Sequence, residues 1–361
     1  MGIIKTYEKY LIKLFLKNIL IVTTVFVCLT FILNLLEELK FFNELNLSLY
    51  YPLVFSFLNL PSLLFEIFPF IFLISTQMFF MHLYSKDEII VFKNYGVRNI
   101  DIIKILSAIT LIIGFFIIFG FHTFASNLKH NYLSFKNNFT DDNKYLAVIN
   151  ENGLWIKDEV ENLVNIINAE KIERNILKNV SISQLDKNYK PLKTILADKI
   201  NINEDIWSIK SAEIFELNGK KYSENNLKLK TNFNLEKINN LFSNLSSLNL
   251  LELKTHYDDY KSLGYSTLDI EIQINKLFSL PIYLLLMILV GSILMLNVKH
   301  NRSKVFHIII GILLSVIIYY INYFFNVMGS NERVPVLISV WFPFLIIGLL
   351  SITGLLKINE K

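Results

Sequence analysis

The chain has 361 residues, of which 53% are hydrophobic, only 18% are charged and 30 are Phe. Its mean hydropathy is +0.44. That composition excludes an ordinary soluble globular domain and makes a membrane protein the default. Cys28 is the only cysteine, which excludes an intrachain disulfide framework. The net charge of +4 hides an asymmetry. Residues 129–272 carry 19 basic and 21 acidic side chains, and the rest carry 16 and 10. The basic excess sits beside the apolar runs, as cytoplasmic loops require.

Lys5, Lys9, Lys13 and Lys17 precede an uncharged run from Ile19 to Leu36. The run is long for a signal peptide and LLEELK offers no small-residue cleavage site, so it reads as a retained first span with a cytoplasmic N-terminus. Leu47 to Leu60 is too short to cross and ends at Pro61, which predicts an interfacial or re-entrant helix. Ile67 to Leu83 is the second span, with Pro69 a candidate kink. A charged amphipathic segment follows, YSKDEIIVFKNYGVRNIDIIKI (84–105). Ile105 to Ala125 is the third span; Gly114 and Gly120, six apart, do not make a GxxxG motif.

From Lys129 to Glu271 charge, Asn and short alternating runs take over. YLAVI (145–149), GLWIK (153–157), LVNII (163–167), KNVSISQL (178–185), LKTILADKININ (192–203) and IWSIKSAEI (206–214) predict strands. Asn152-Gly153 and Asn218-Gly219 are turn signals. The pattern suggests an antiparallel sandwich or jelly roll. Leu241 to Leu263 reads as a helical return to the membrane, with Gly264 as C-cap. Spans at Leu277–Val298, Val305–Met328 and Val334–Leu356 close the chain. Six spans put both termini, the 84–105 segment and the basic 299–304 loop on one side, and the β-rich insertion on the other.

No catalytic constellation is visible: the sequence has no G-x-x-x-x-G-K-[ST], no H-E-x-x-H and no Cys/His metal spacing. No cofactor or metal is expected. The six His are scattered, and His82, His122 and His307 at span edges read as packing residues. In the 84–105 segment, Ser85-Lys86-Asp87-Glu88 fits a capping box with Ser85 as N-cap and Glu88 at N3. Glu88, Val91, Phe92 and Tyr95 then share one helical face, and Gly96 can end the helix left-handed. Two readings stay open on this physics: a polar loop with a capped turn, or a helix that docks in a partner's groove.

The order of elements, S-x-x-E-[IL]-x-V-x-x-x-x-G from Ser85 to Gly96, and GLWIKD at 153–158 resemble the lipopolysaccharide-export permeases of the LptF/LptG (YjgP/YjgQ) type, over essentially the whole chain. Tyr260, Leu263, Gly264 and Pro335 with GLWIKD resemble the G-type more than the F-type. The resemblance implies an α+β membrane protein: six transmembrane helices with a periplasmic antiparallel β-jelly-roll domain inserted between helices 3 and 4. The domains would be 1–128 with a coupling helix at 85–97, 129–272, and 273–361. It further implies a non-catalytic subunit of an ATP-driven transporter in the bacterial inner membrane. This would pair with an F-type permease over a dimeric cytoplasmic ATPase, extract lipopolysaccharide from the outer leaflet, and pass it to periplasmic jelly-roll bridge proteins.

Carried over by position, Ser85, Glu88, Val91, Phe92, Tyr95 and Gly96 would form the ATPase-coupling helix. Lys40 and Lys136 would meet the lipid headgroup. Asn34 and Leu133 stand where relatives have basic residues, so phosphate recognition would be weaker, shifted to Lys129 or Lys136, or supplied by the partner. Phe26, Phe31, Tyr319, Tyr320 and Phe325 lie on the first and fifth spans, which line the cavity and gates in that family. Plain packing explains each of these aromatics too, and interfacial anchoring explains Lys40. Asn322 is a polar residue inside a span, and Trp155 and Trp207 are equally well core residues. The alternatives are a membrane-anchored periplasmic scaffold or sensor, or a permease for another amphiphile such as a lipoprotein.

Overall fold

The computed structural model describes residues 5–45, 47–137, 139, 154–160, 163–173, 175–204, 206–217, 219–233, 238, 244–262, 265–297 and 304–359. The expected strand at 145–149, the Asn152-Gly153 turn, Asn218, Leu263, Gly264 and residues 299–303 lie outside them. Two compact units divide the chain, one of Met1–Lys129 with Leu268–Lys361 and one of His130–Thr267.

The first unit contains the long helices. They are α1 (Thr6–Glu44), α2 (Tyr50–Ser85), the short α3 (Glu88–Asn94), α4 (Asn99–Phe116), α7 (Leu268–Leu296), α8 (Lys304–Ser330) and α9 (Val336–Asn359). A π-helical turn, Ile117–Phe121, joins α4 to α5 (His122–Asn137) without a break. Six helical stretches among the described residues are long and apolar enough to cross a membrane. The interfacial helix expected at 47–60 is instead the first part of α2, which runs through Pro61 and Pro69. In apolar surroundings a freed carbonyl has no water to turn to, so the backbone keeps its remaining helical bonds around each ring.

The helix α7 is the centre of this unit and packs on α2, α4, α8 and α9. Close approach explains two glycines. A Cβ on Gly114 of α4 would lie 2.8 Å from the Cα of Pro281 in α7. One on Gly311 of α8 would meet the Gln77 amide of α2, whose nitrogen donates to the His307 carbonyl at 2.8 Å. Small residues let membrane helices meet where no water-driven force pulls them together. Gly114 is therefore an interface residue although it lacks the GxxxG partner.

The second unit is an antiparallel sheet with strands β1 (Leu154–Val160), β2 (Leu163–Glu173), β3 (Ile176–Asp186), β4 (Pro191–Asn201), β5 (Ile206–Glu216) and β6 (Lys221–Lys230). Their order is β1-β2-β3-β4-β5-β6, so neighbours in the chain are neighbours in the sheet. The strand β6 was not expected from sequence, because its first six residues are all exposed and show no alternation. Asp186 shapes the β3–β4 turn by accepting from the amides of Asn188 and Lys190, both at 2.8 Å.

The buried positions change parity part-way along three strands. On β3 they run Leu177, then Val180 and Ile182; on β4 Ile195 and Ala197, then Ile200; on β5 Trp207 and Ile209, then Ala212 and Ile214. The ladder omits Glu170↔Asn179, Asn179↔Asp198 and Lys210↔Asn226 along the same line. Asn179 and Asn226 there have left-handed φ of 50° and 59°, a conformation Asn tolerates better than most residues. The sheet thus turns a corner, as strands do when one sheet supplies both walls of a core. Both halves share one apolar cluster, from Leu154 and Ile156 to Leu229 and Phe233. Trp207 is fully buried in it and its indole donates to the Phe233 carbonyl at 2.8 Å. Trp155, treated as its equal from sequence, is 58% exposed. The helix α6 (Leu250–Ser262) follows. Asn249 caps it by accepting from the amides of Leu251 and Glu252, and Glu252 accepts from Asn249 N–H at 2.8 Å.

Candidate functional site

The residues carried onto the coupling helix fall on α3, but its ends are built differently from the sequence expectation. Ser85 does not cap it. Ser85 closes α2, and its hydroxyl donates back to the His82 carbonyl at 2.9 Å. The chain then reverses through Asp87, whose φ of 54° is left-handed, and Glu88 is the first helical residue rather than N3. A helix already running through Ser85 leaves no room for it as a cap. The other end is as expected. Gly96 has φ +79°, its N–H donates to the Lys93 carbonyl at 3.0 Å, and Val97 N–H donates to Phe92 at 2.9 Å. That is the paired closure of a Schellman motif.

The expected single face is split. Glu88 and Phe92 turn towards the first turns of α1. The Tyr10 hydroxyl donates to the Glu88 carboxylate, 2.7 Å from one oxygen and 2.9 Å from the other. The Phe92 ring lies 6.5 Å from that of Tyr7. Val91 and Tyr95 are exposed, and so is Ile90, which the spacing argument did not select. Ile89 is the buried residue of this seven-residue helix.

The cavity residues sort into separate groups. On α1, Phe26 is half-buried and Phe31 stacks obliquely on Phe57 of α2 at 4.7 Å. On α8, Tyr319 meets Phe70 of α2 at 5.9 Å and Tyr320 at 5.8 Å, while Phe325 meets Phe342 of α9 at 5.6 Å. Asn322 is buried beside them. The spans bearing these aromatics are the least enclosed. Only 17% of the most apolar window of the first and 22% of that of the fifth are buried, against 61% for the fourth.

Of the basic candidates, Lys40 is exposed near the end of α1. Lys136 is buried, its ammonium donating to the Tyr132 hydroxyl at 2.8 Å and standing 5.0 Å from that ring. Lys129 donates to Asn59 Oδ1 at 2.6 Å, and Asn59 donates to Asn34, which donates to the Ser56 carbonyl. Asn34 is thus a buried bridge between α1 and α2. In the sheet unit, Asp158 of GLWIKD is buried and accepts from the Asn232 side chain at 2.9 Å. Lys157 N–H donates to the Tyr265 hydroxyl at 3.2 Å, and burial raises that phenol above its usual pKa.

A family whose description is lipopolysaccharide export system permease LptF/LptG matches residues 9–357. The match reaches into both units and every element above. The chain belongs to that family. It is therefore a multi-pass inner-membrane permease subunit of a lipopolysaccharide-export ABC transporter, in which a partner hydrolyses ATP. Among curated proteins none matches.

In an LptF/LptG permease, charges inside spans are functional candidates, and the sequence reading passed over two. Glu66 of α2 is exposed and lies within electrostatic reach of Lys129 and Lys276, the latter exposed on α7. Tyr319 feels the same carboxylate. The signal was available: Glu66 is the only acidic residue between Glu44 and Asp87.

Proposed function

We propose that this chain is the G-type permease of the exporter. Paired with an F-type permease, it takes lipopolysaccharide from the outer leaflet of the inner membrane and passes it through its β-jelly-roll domain to a periplasmic bridge. A dimeric cytoplasmic ATPase docks on α3. The observation that carries this reading is α3 itself, a seven-residue helix closed at Gly96 that leaves Ile90, Val91 and Tyr95 exposed. Val91 and Tyr95, four apart, have the spacing of anchors on a helix seated in a groove, and Ile90 widens the exposed apolar patch beside them.

Topology supports the arrangement. In this reading α3 and both termini lie on the cytoplasmic side with the basic loops, and the sheet domain, inserted between the third and fourth spans, lies on the periplasmic side. The thinly buried first and fifth spans are the natural walls against the partner permease, with Phe26, Phe31, Tyr319, Tyr320 and Phe325 at the cavity and Lys40 and Lys136 at the headgroup. Closing the ATPase dimer moves α3, the membrane halves approach, and the lipid is expelled into the sheet domain. A sheltered path matters because each acyl CH₂ exposed to water costs ~0.8 kcal/mol. The G-type assignment rests on GLWIKD, Tyr260, Leu263, Gly264 and Pro335.

Val91→Asp tests the reading on an exposed residue. Co-purified ATPase should fall by about ten-fold or more, as expected when an anchor at an interface centre is lost. Glu88→Ala should weaken association as well. Full retention of ATPase and of lipid export in both variants overturns the docking reading and favours a scaffold. Mass spectrometry of lipid bound to the purified complex identifies the cargo, and a lipoprotein there would replace lipopolysaccharide.

A further inference from the structure

We propose that Tyr10 is a positioning residue of the transport cycle: with Tyr7 it ties α3 to the first turns of α1, so that displacement of α3 is delivered directly to the first span. The proposal rests on α3 being the ATPase-docking helix. Along the chain, α3 is joined to α2 by Lys86 and Asp87 and to α4 through Gly96, and both of those helices pack on the central α7. The link to α1 is made by side chains distant in sequence: the Tyr10 hydroxyl on both Glu88 oxygens, and the Tyr7 ring against Phe92.

Two features make α1 the segment that this link can move. Within this chain the first span is the least enclosed of the six and the fourth the most, so α1 is held chiefly by α2, whereas α7 is held by α2, α4, α8 and α9. The bond also survives docking. A carboxylate offers about four lone-pair sites, and Tyr10 supplies a single proton. Glu88 can therefore hold Tyr10 and a basic group of the ATPase together, which makes it a junction and not merely a contact.

The test uses the full complex of both permeases and the ATPase in lipid vesicles, reading lipid delivered per ATP hydrolysed. Tyr10→Phe keeps the ring and removes the proton. The ratio should fall about three- to ten-fold, the scale of one ordinary exposed hydrogen bond lost, with the ATPase still bound. In a Cys28→Ser background, Tyr7→Cys and Phe92→Cys joined by a short bismaleimide should restore the ratio to the Tyr10→Phe protein. An unchanged ratio in Tyr10→Phe overturns the proposal. So does a bridge that abolishes delivery, since the contact would then have to open. Loss of bound ATPase in Tyr10→Phe also overturns it, by showing that Tyr10 only shapes the docking surface. Full retention of ATPase and of lipid export in both Val91→Asp and Glu88→Ala would instead sink the docking reading, whatever Tyr10 does.

Discussion

The two units of this chain obey opposite burial rules. In the sheet unit the inside is apolar: Ile156, Ile167, Ile182, Ile195, Ile209 and Ile214 are all buried, and the outward positions between them are mostly polar. In the helical unit the most apolar positions are often outside. Leu20, Val25, Leu29 and Leu36 of α1 are exposed, while Thr30, Asn34 and Glu38 of the same helix are buried. Water drives the first pattern. Lipid, as apolar as leucine, removes that drive and leaves packing and hydrogen bonds to choose the inside. Hydropathy therefore reports burial in one unit and solvent in the other.

The largest effect that would sharpen this comparison is at Trp207. Trp207→Ala empties the centre of the sheet core and leaves the buried Phe233 carbonyl without its indole donor. It should cost about 3–5 kcal/mol, a large part of a domain's total stability. Protease resistance of the β5 region should collapse in the full chain. Trp155→Ala, at an exposed site, should change stability by no more than about 0.5 kcal/mol. Comparable losses in both variants would mean that the two faces of the sheet are equally loaded.

In the helical unit the matching probe adds atoms instead of removing them. Gly114→Ala forces a methyl to within 2.8 Å of the Pro281 backbone, and such overpacking costs about 1–3 kcal/mol. Gly120→Ala meets only the edge of the Phe116 ring, 3.4 Å away at its closest. It should be neutral or stabilising, since alanine is the better helix former. Thermal unfolding of the detergent-solubilised protein checks the pair. Equal midpoints for the two would show that close α4–α7 approach contributes nothing.

These cases also show what was legible in the sequence. Length and hydropathy were enough for six spans, and alternation was enough for five strands, because each of those signals is local. The cap at Ser85 was misread because the same residue serves as the end of α2, and a four-residue motif cannot tell which helix claims it. The Glu88–Tyr10 bond spans 78 positions, beyond any spacing rule. Gly114 and Gly120 look alike until α7 is placed beside one of them. Glu66 is visible as a lone acid in an apolar run, but its charged neighbours Lys129 and Lys276 come from other helices, which no local pattern reveals.

The smallest effect probes the sheet unit by charge and not by volume. His256 of α6 is buried, and burial holds its pKa below the usual 6.5, with Asp259 and Glu252 pulling weakly the other way. Below about pH 6.5 the unfolded chain binds a proton that the folded unit resists. The stability contributed by the neutral imidazole is thus present above that pH and is lost as pH falls through the lowered folded value. His256→Gln keeps a polar side chain of similar reach and removes the titration. Hydrogen exchange in β5 of the full chain, followed from pH 7.5 to 5.5 after correction for the intrinsic rate, should lose protection in the parent and lose less in the variant. Trp207→Ala should lower protection at every pH. A parent and a His256→Gln variant with parallel profiles would show that acid weakens the sheet unit through its carboxylates, and that the buried imidazole only fills space.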